Sequence, residues 1–330
     1  MKKLLKMLFV FPPEEIDKIP LSGLEAISYF RYQPIPPAFI EACVKNDVRI
    51  NLLHPDGRYI SSITSGGPRE SLLLRKQHNA AIDPGTSIHI ARNMIMSKIF
   101  NSRWVVGRMY RDYSDRLDSN MMNKKSVKLK DILGEDLTAK EITTIREIKK
   151  KAAGEFYAAI DDMIVYQRKS FIFNGRSSKP PLDPVNSMLS FAYELLEIIC
   201  TSALKTTGFD TYTGFFYMEK PNRESLVLDL MEEFKACIAD RFVLTLINEK
   251  KIKIDDFEED DEGSLVLTKD GKDTFLMHWQ EFLGNKTIHP YLEEDVEWGM
   301  LPYASAMLLS LYLRGEIDKY PAFLRQKVGM

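Results

Sequence analysis

The hydrophobic pattern of this chain changes period once, at Ser65-Gly66-Gly67-Pro68, and that change constrains the fold more than any other feature. Before it the apolar residues sit in short extended runs. Residues 4–11 are dense in β-formers, 48–53 form an apolar run, and 58–64 alternate. His54-Pro55-Asp56-Gly57 separates the last two as a turn, and Pro36-Pro37 opens one short helix over 38–46. After Pro68 three- and four-residue spacing takes over. In 87–112, Ile88, Ala91, Ile95, Ile99 and Val106 fall on one stripe. The chain therefore reads as α+β. A small N-terminal β-domain spans 1–66, a larger all-α C-terminal domain spans 67–330, and the Ser-Gly-Gly-Pro tract is the linker.

Within the helical part, 71–81 and 87–112 read as long helices, and 121–136 as a lysine-rich loop or short helix. Thr138, with Glu141 at capping-box spacing, starts a helix to about residue 168. Asp183 followed by Pro184 is a strong start signal for a helix through 203. A turn-rich crossing over 208–217 leads to a helix from 224 to 248. Residues 250–267 read as a hairpin around the acidic tip 255–262, and 271–283 and 291–314 as the final helices.

The 330 residues suffice for two separate cores. A net charge of −2 excludes a polycation, so any nucleic-acid surface must come from local clustering of Lys and Arg. Cys43, Cys200 and Cys237 lie far apart with no metal-ligand spacing, which points to buried thiols in a reducing cytoplasm. The start, MKKLLKMLFVF, is broken by Lys6 and ends at Pro12-Pro13, so it reads as a strand rather than a signal peptide. No run approaches the ~18 apolar residues of a membrane helix. The five histidines are scattered, and Gly-x-Ser-x-Gly and glycine-rich phosphate loops are absent.

Two clusters stand out. Asp229 and Glu232 are three apart on one helix, with Glu233 four from Asp229. Such carboxylates suit a hard cation, and the same spacing also describes a solvated acidic face. The loop Gly175-Arg176-Ser177-Ser178-Lys179-Pro180-Pro181 sets cations and hydroxyls before a helix start. It suits phosphate oxygens or is an ordinary exposed loop. Lys220, Asn222 and Arg223 form a second basic turn, and Lys149, Lys150, Lys151 and Lys169 extend the positive charge.

The stretch 174–248 begins NGRSSKPPLDPVNSMLSF and ends LVLDLMEEFKACIADRFVLTLIN. It resembles the large subunit of the CRISPR spacer-acquisition integrase, a family of metal-dependent DNA endonucleases. HIARNMIMSKIFNSRWVV resembles the first long helix of that family's C-terminal domain, and RINLLHPDGRYISSI its N-terminal β-domain. The segment between Phe11 and Ile19 is short for the family, as if the β-sandwich lacked a hairpin. The resemblance implies a homodimer joined through the β-domain, DNA as substrate, and a small ferredoxin-like acquisition subunit as partner. It also implies DNA-binding roles for Arg176, Lys179, Asn186, Lys220 and Arg223.

The same resemblance implies a metal site of three positions for Mg2+ or Mn2+. A glutamate of a Glu-Gly-x-Ala-Ala box is replaced here by Lys149, in Lys149-Lys150-Lys151-Ala152-Ala153. A histidine is replaced by Tyr217, after Phe215-Phe216. Glu232 keeps the third position, one turn past the structural Asp229. A charged ammonium cannot ligate a cation and repels it. A phenol with a pKa near ~10 is a poor ligand beside imidazole. Lys149 is expected to stand in the ion's place, paired with Glu232 and Asp229. Three functions remain open. One is an endonuclease and integrase in which Glu232 and Asp229 hold the metal with help from water or DNA. Another is a DNA-binding scaffold of the same fold and dimer, with its chemistry lost or supplied by another subunit. The third is a helical regulatory protein with no nucleic-acid role.

Overall fold

The computed structural model describes residues 2–4, 7–10, 20–21, 24–29, 34–54, 58–64, 68–178, 180–217, 220–261 and 263–325. The chain opens with β1 (Lys2–Leu4), β2 (Met7–Val10), β3 (Ala26–Tyr29), α1 (Pro37–Lys45), β4 (Arg49–Leu53) and β5 (Tyr59–Ile63). The long helices follow: α2 (Pro68–Ile82), α3 (Pro84–Asp112), α4 (Ser119–Thr138), α5 (Ile142–Met163) and α6 (Pro184–Thr207). Next come α7 (Ser225–Phe234), a π-helical segment (Lys235–Asp240) and α8 (Arg241–Asn248). The chain closes with β6 (Phe257–Glu259), β7 (Leu265–Leu267), α9 (Lys269–Gly284), β8 (Lys286–His289), β9 (Glu294–Glu297) and α10 (Leu301–Arg314). Two compact units result. The first is Met1–Ser87, Glu197–Leu230 and Pro302–Pro321; the second is Ile88–Leu196, Met231–Leu301 and Ala322–Met330.

The first unit carries a five-stranded sheet in the order β1-β2-β3-β4-β5. The outer pairs are antiparallel, and β3 runs parallel to both β2 and β4. Among the described residues this is one mixed sheet, not a sandwich. The apolar run at 4–11, read as one strand, is shared between β1 and β2. Helix α1 is the crossover from β3 to β4, started by Pro37 at its first position. Leu24, Ile27, Tyr29, Cys43, Val48 and Ile50 form the core beneath it. Residues 11–19, on which the missing hairpin was expected, lie outside the described residues, as do 55–57 of the turn and 65–67 of the linker. At the end of α6, Gly208 takes φ +97°, and a Cβ there would meet the Arg49 guanidinium at 2.5 Å. Arg49 Nη1 donates to Lys205 O at 2.9 Å, so a sheet residue caps the helix end.

In the second unit, 121–136, expected as a loop or short helix, is most of the twenty-residue α4. Asp118 starts it by accepting from the amides of Asn120 and Met121. Met122, Leu129 and Ile132 are buried on one face. Lys125 pairs with Asp162 at 2.9 Å, Lys128 with Glu155 at 3.2 Å, and Lys151 with Glu135 at 2.6 Å. The lysines that suggested a loop are therefore the seam with α5. That helix starts at Ile142 without a side-chain cap, and Thr138 belongs to α4 instead. It stops at Met163 because Asn248 Oδ1 accepts from the amides of Val165 and Tyr166, and Asn248 Nδ2 donates to Met163 O at 2.9 Å.

Two further expectations change. Residues 291–314 are not one helix: β8 and β9 form a hairpin before α10. Thr287 and His289 point inward while Lys286 and Ile288 are exposed, a period-two pattern. His289 Nδ1 accepts from the amides of Tyr291 and Leu292, and burial pushes its pKa down to about 4. The helix read over 224–248 is interrupted by the π segment, where Asn101 Nδ2 donates to Glu233 O at 2.9 Å. The expected start at Asp183 is present, with the Asn186 amide donating to Asp183 Oδ1 at 2.8 Å. By length and composition α6 is the one described helix apolar enough to cross a membrane. Its buried Val185, Met188, Leu189, Ala192, Leu196, Cys200, Ala203 and Leu204 recur at core-helix spacing.

Candidate functional site

The second unit centres its chemistry on Glu232. This carboxylate has no solvent exposure, and three ammonium groups surround it. Lys149 Nζ and Lys235 Nζ each lie 3.0 Å from Oε1, and Lys98 Nζ lies 2.5 Å from Oε2. Each lysine arrives from its own element. Lys149 follows Ile148 at the edge of the buried stripe of α5. Lys98 sits inside the apolar face of α3, between Ile95 and Ile99. Lys235 opens the π segment, three residues past Glu232.

Burial alone would raise the pKa of Glu232, but the charges on Lys235, Lys98 and Lys149 overcome it and hold the group well below the usual carboxylate range. For Lys149 burial lowers the pKa; Glu232 opposes that shift, and the neighbouring Lys98 and Lys235 add to it.

Behind this cluster lies a buried chain of hydroxyls. Tyr193 Oη donates to Asp240 Oδ1 at 2.5 Å and lies 3.1 Å from Tyr157 Oη. Burial raises the pKa of Asp240 to about 6, against the pull of the Tyr193 hydrogen bond and the charges of Lys98, Arg176 and Lys235. The Arg176 guanidinium lies 5.3 Å from the Tyr193 ring centroid. Arg176 also donates to Asn186 Oδ1 at 2.9 Å, to Ser190 Oγ at 3.0 Å and to Ser177 O. Asn186 is fully buried, with its amide bonded to Gly175 O and Asp183. It staples the loop from inside. Lys179 lies outside the described residues. Glu233, next to Glu232, is also buried and accepts the Phe323 amide at 2.9 Å.

In the first unit, Asp229 is fully buried and accepts three main-chain amides. Phe215 and Phe216 donate to Oδ2 at 2.6 and 3.0 Å, and Tyr217 donates to Oδ1 at 2.9 Å. The crossing loop is built around this carboxylate. Gly214 permits it, since a Cβ there would meet Asp229 Oδ2 at 2.9 Å. The Arg223 guanidinium lies 4.9 Å from the Tyr217 ring centroid. Arg223 closes a tight turn from Lys220, with Asn222 at φ 59°. Lys220 is exposed.

The structure thus joins Lys149 to Glu232, and Tyr217 to Asp229 and Arg223. Sequence reasoning singled out neither Lys98 nor Lys235. A cation inside an apolar helix face, and another one turn from a buried carboxylate, were the signals that mark them.

A family model described as "CRISPR associated protein Cas1" matches residues 2–281. The chain belongs to the Cas1 family. The CRISPR-associated endonuclease Cas1 1 of Chlorobaculum tepidum is 33% identical over 310 residues, covering 94% of this chain and 90% of that one. Among solved structures, a casposase bound to its integration product matches with a TM-score of 0.78 at 21% identity, covering 96% of this chain and 89% of that one. A chain of a partial Cas6-RT-Cas1–Cas2 complex matches with a TM-score of 0.76 at 18% identity, covering 94% and 91%. At these identities the two structures establish a shared Cas1-type fold.

Among the described residues, neither the surroundings of Glu232 nor those of Asp229 fit a divalent metal. Among the described residues no group of three or more His, Cys, Asp and Glu is arranged to hold a metal ion. Glu232 already faces three ammonium groups, so a dication there would enter a field of like charge. In the first unit, Asp229 is engaged by three amides.

Proposed function

We propose that this Cas1-family chain serves CRISPR adaptation as a DNA-binding scaffold that does not run metal-dependent cleavage on its own residues. One observation carries this reading: Lys149 lies 3.0 Å from Glu232, and Lys98 and Lys235 complete the shell around that carboxylate. By the family resemblance, Lys149 and Tyr217 stand where a metal would be held. The metal's work is to polarise the scissile phosphate and to stabilise the attacking hydroxyl. Fixed ammonium charge can neutralise phosphate oxygens but cannot activate a nucleophile in that way.

What remains is basic charge in each unit. Lys98, Lys149, Lys235 and Arg176 lie in the second unit, and Lys220 and Arg223 in the first. Such cations bind double-stranded or branched DNA through its backbone, without reading sequence and with strong salt dependence. Residues 1–66 would serve as the dimer contact of a homodimer and 67–330 as the DNA-binding part. A small ferredoxin-like acquisition subunit is the proposed partner, and the similar chain from a complex that includes Cas2 supports it. The three cysteines are buried thiols, in keeping with a cytoplasmic setting.

A branched-DNA assay in Mn2+ tests this. The reading expects tight, salt-sensitive binding without nicking, and nicking regained by Lys149→Glu combined with Tyr217→His. Nicking by the unaltered chain that Glu232→Ala abolishes would make it a working endonuclease. No binding even at low salt would remove the nucleic-acid role.

A further inference from the structure

Tyr193 touches a carboxylate and a cation that do not pair with each other. Its hydroxyl donates to Asp240 Oδ1 at 2.5 Å, and the Arg176 guanidinium lies 5.3 Å from its ring centroid. Lys235 Nζ lies 5.7 Å from the same centroid. Lys235 and Asp240 are the first and last residues of the π segment. That one irregular turn brings an ammonium to the ring and a carboxylate to the hydroxyl. All four residues belong to the second unit.

Among the described residues, Arg176 donates only to neutral acceptors: Asn186 Oδ1, Ser190 Oγ and Ser177 O. Asp240 is buried, and among the described residues its hydrogen bond comes from Tyr193 rather than from a cation. The charges of Lys98, Arg176 and Lys235 reach Asp240 without forming an ion pair with it, and burial still raises its pKa to about 6. A carboxylate in contact with a guanidinium would be held low instead. A guanidinium–carboxylate pair is a strong, two-pronged contact that a phosphate would have to break. A guanidinium held by neutral acceptors keeps its charge for a phosphate.

We infer that Tyr193 positions the DNA contact: its hydroxyl occupies Asp240, and the Arg176 guanidinium is thereby kept off that carboxylate and open to a backbone phosphate. This rests on the DNA-binding reading above, in which Arg176 is one of the cations. Tyr193 acts through Arg176 and is a positioning residue. Without its hydroxyl, Asp240 loses a hydrogen bond, and the cations whose charge already reaches it are at hand to replace that bond.

The test measures binding of one DNA duplex by the full chain in EDTA, read by fluorescence anisotropy over a salt series. Tyr193→Phe should weaken binding about 10-fold and lower the salt slope by about one, as Arg176→Met should. The deciding arm is Asp240→Asn. In that background Tyr193→Phe should change neither quantity, because no carboxylate is left to capture the arginine. Circular dichroism confirms the fold of each variant. An affinity unmoved by Tyr193→Phe or by Arg176→Met overturns this inference and leaves the DNA-binding reading intact. So does a loss on Tyr193→Phe that persists in the Asp240→Asn background. Failure of the unaltered chain to bind even at low salt overturns both.

Discussion

Lys149 Nζ lies 3.0 Å from Oε1 of Glu232, a carboxylate with no solvent exposure. Lys98 and Lys235 approach the same group at 2.5 and 3.0 Å. An ionised carboxylate is strongly disfavoured in a dry interior unless cations offset the lost hydration. Here ammonium groups from α3, α5 and the π segment do so together.

Glu232→Gln keeps the shape and removes the anion, leaving three crowded ammonium groups. Breaking a buried ion pair from one side costs about 3–5 kcal/mol, and the variant should lose that order of stability in urea unfolding. Lys149→Met leaves Glu232 two of its cations and should lose about 1 kcal/mol. A loss below about 1 kcal/mol for Glu232→Gln would show that the shell does not hold this carboxylate ionised.

Two buried acids give opposite pH signatures. Glu232 has its folded pKa lowered well below 4.5, so its contribution is present above that value and lost as pH falls through the folded one. Asp240 has its folded pKa raised from 3.8 to about 6. Between those values the unfolded chain holds fewer protons, so stability falls as pH rises, by about 3 kcal/mol in all. Asp240→Asn removes this dependence while keeping an acceptor for Tyr193. Relative to the unaltered chain, it should gain about 2 kcal/mol between pH 4 and pH 7 in urea midpoints. A difference independent of pH would contradict the raised value.

Asp229 holds the crossing loop through three amides. Asp229→Ala should cost about 3 kcal/mol and speed hydrogen exchange at Phe215, Phe216 and Tyr217 together. Gly214→Ala should speed the same three amides, because its Cβ would meet Asp229 Oδ2 at 2.9 Å. Unchanged protection in both variants would mean that other contacts fix the loop.

Locally determined features were legible in the sequence. Asp183 with Pro184 specifies its own helix start, because the cap bond spans three residues. The hairpin of β6 and β7 and the helix α1 were also visible from turn and proline chemistry. Features set by distant partners were hidden. Helix α4 depends on carboxylates of α5 to neutralise its lysines. The end of α5 depends on Asn248, and the π segment coincides with the bond from Asn101. The site divided in the same way. The family resemblance offered Lys149 and Glu232 as partners, whereas Lys98 and Lys235 became visible only when α3 and the π segment met that carboxylate.

The most direct measurement is anomalous diffraction from crystals grown with Mn2+. The account predicts no manganese peak within coordination distance of Glu232 and ammonium groups of Lys98, Lys149 and Lys235 still in place. A well-occupied manganese ion bound to the Glu232 carboxylate, with Lys149 displaced, would contradict it.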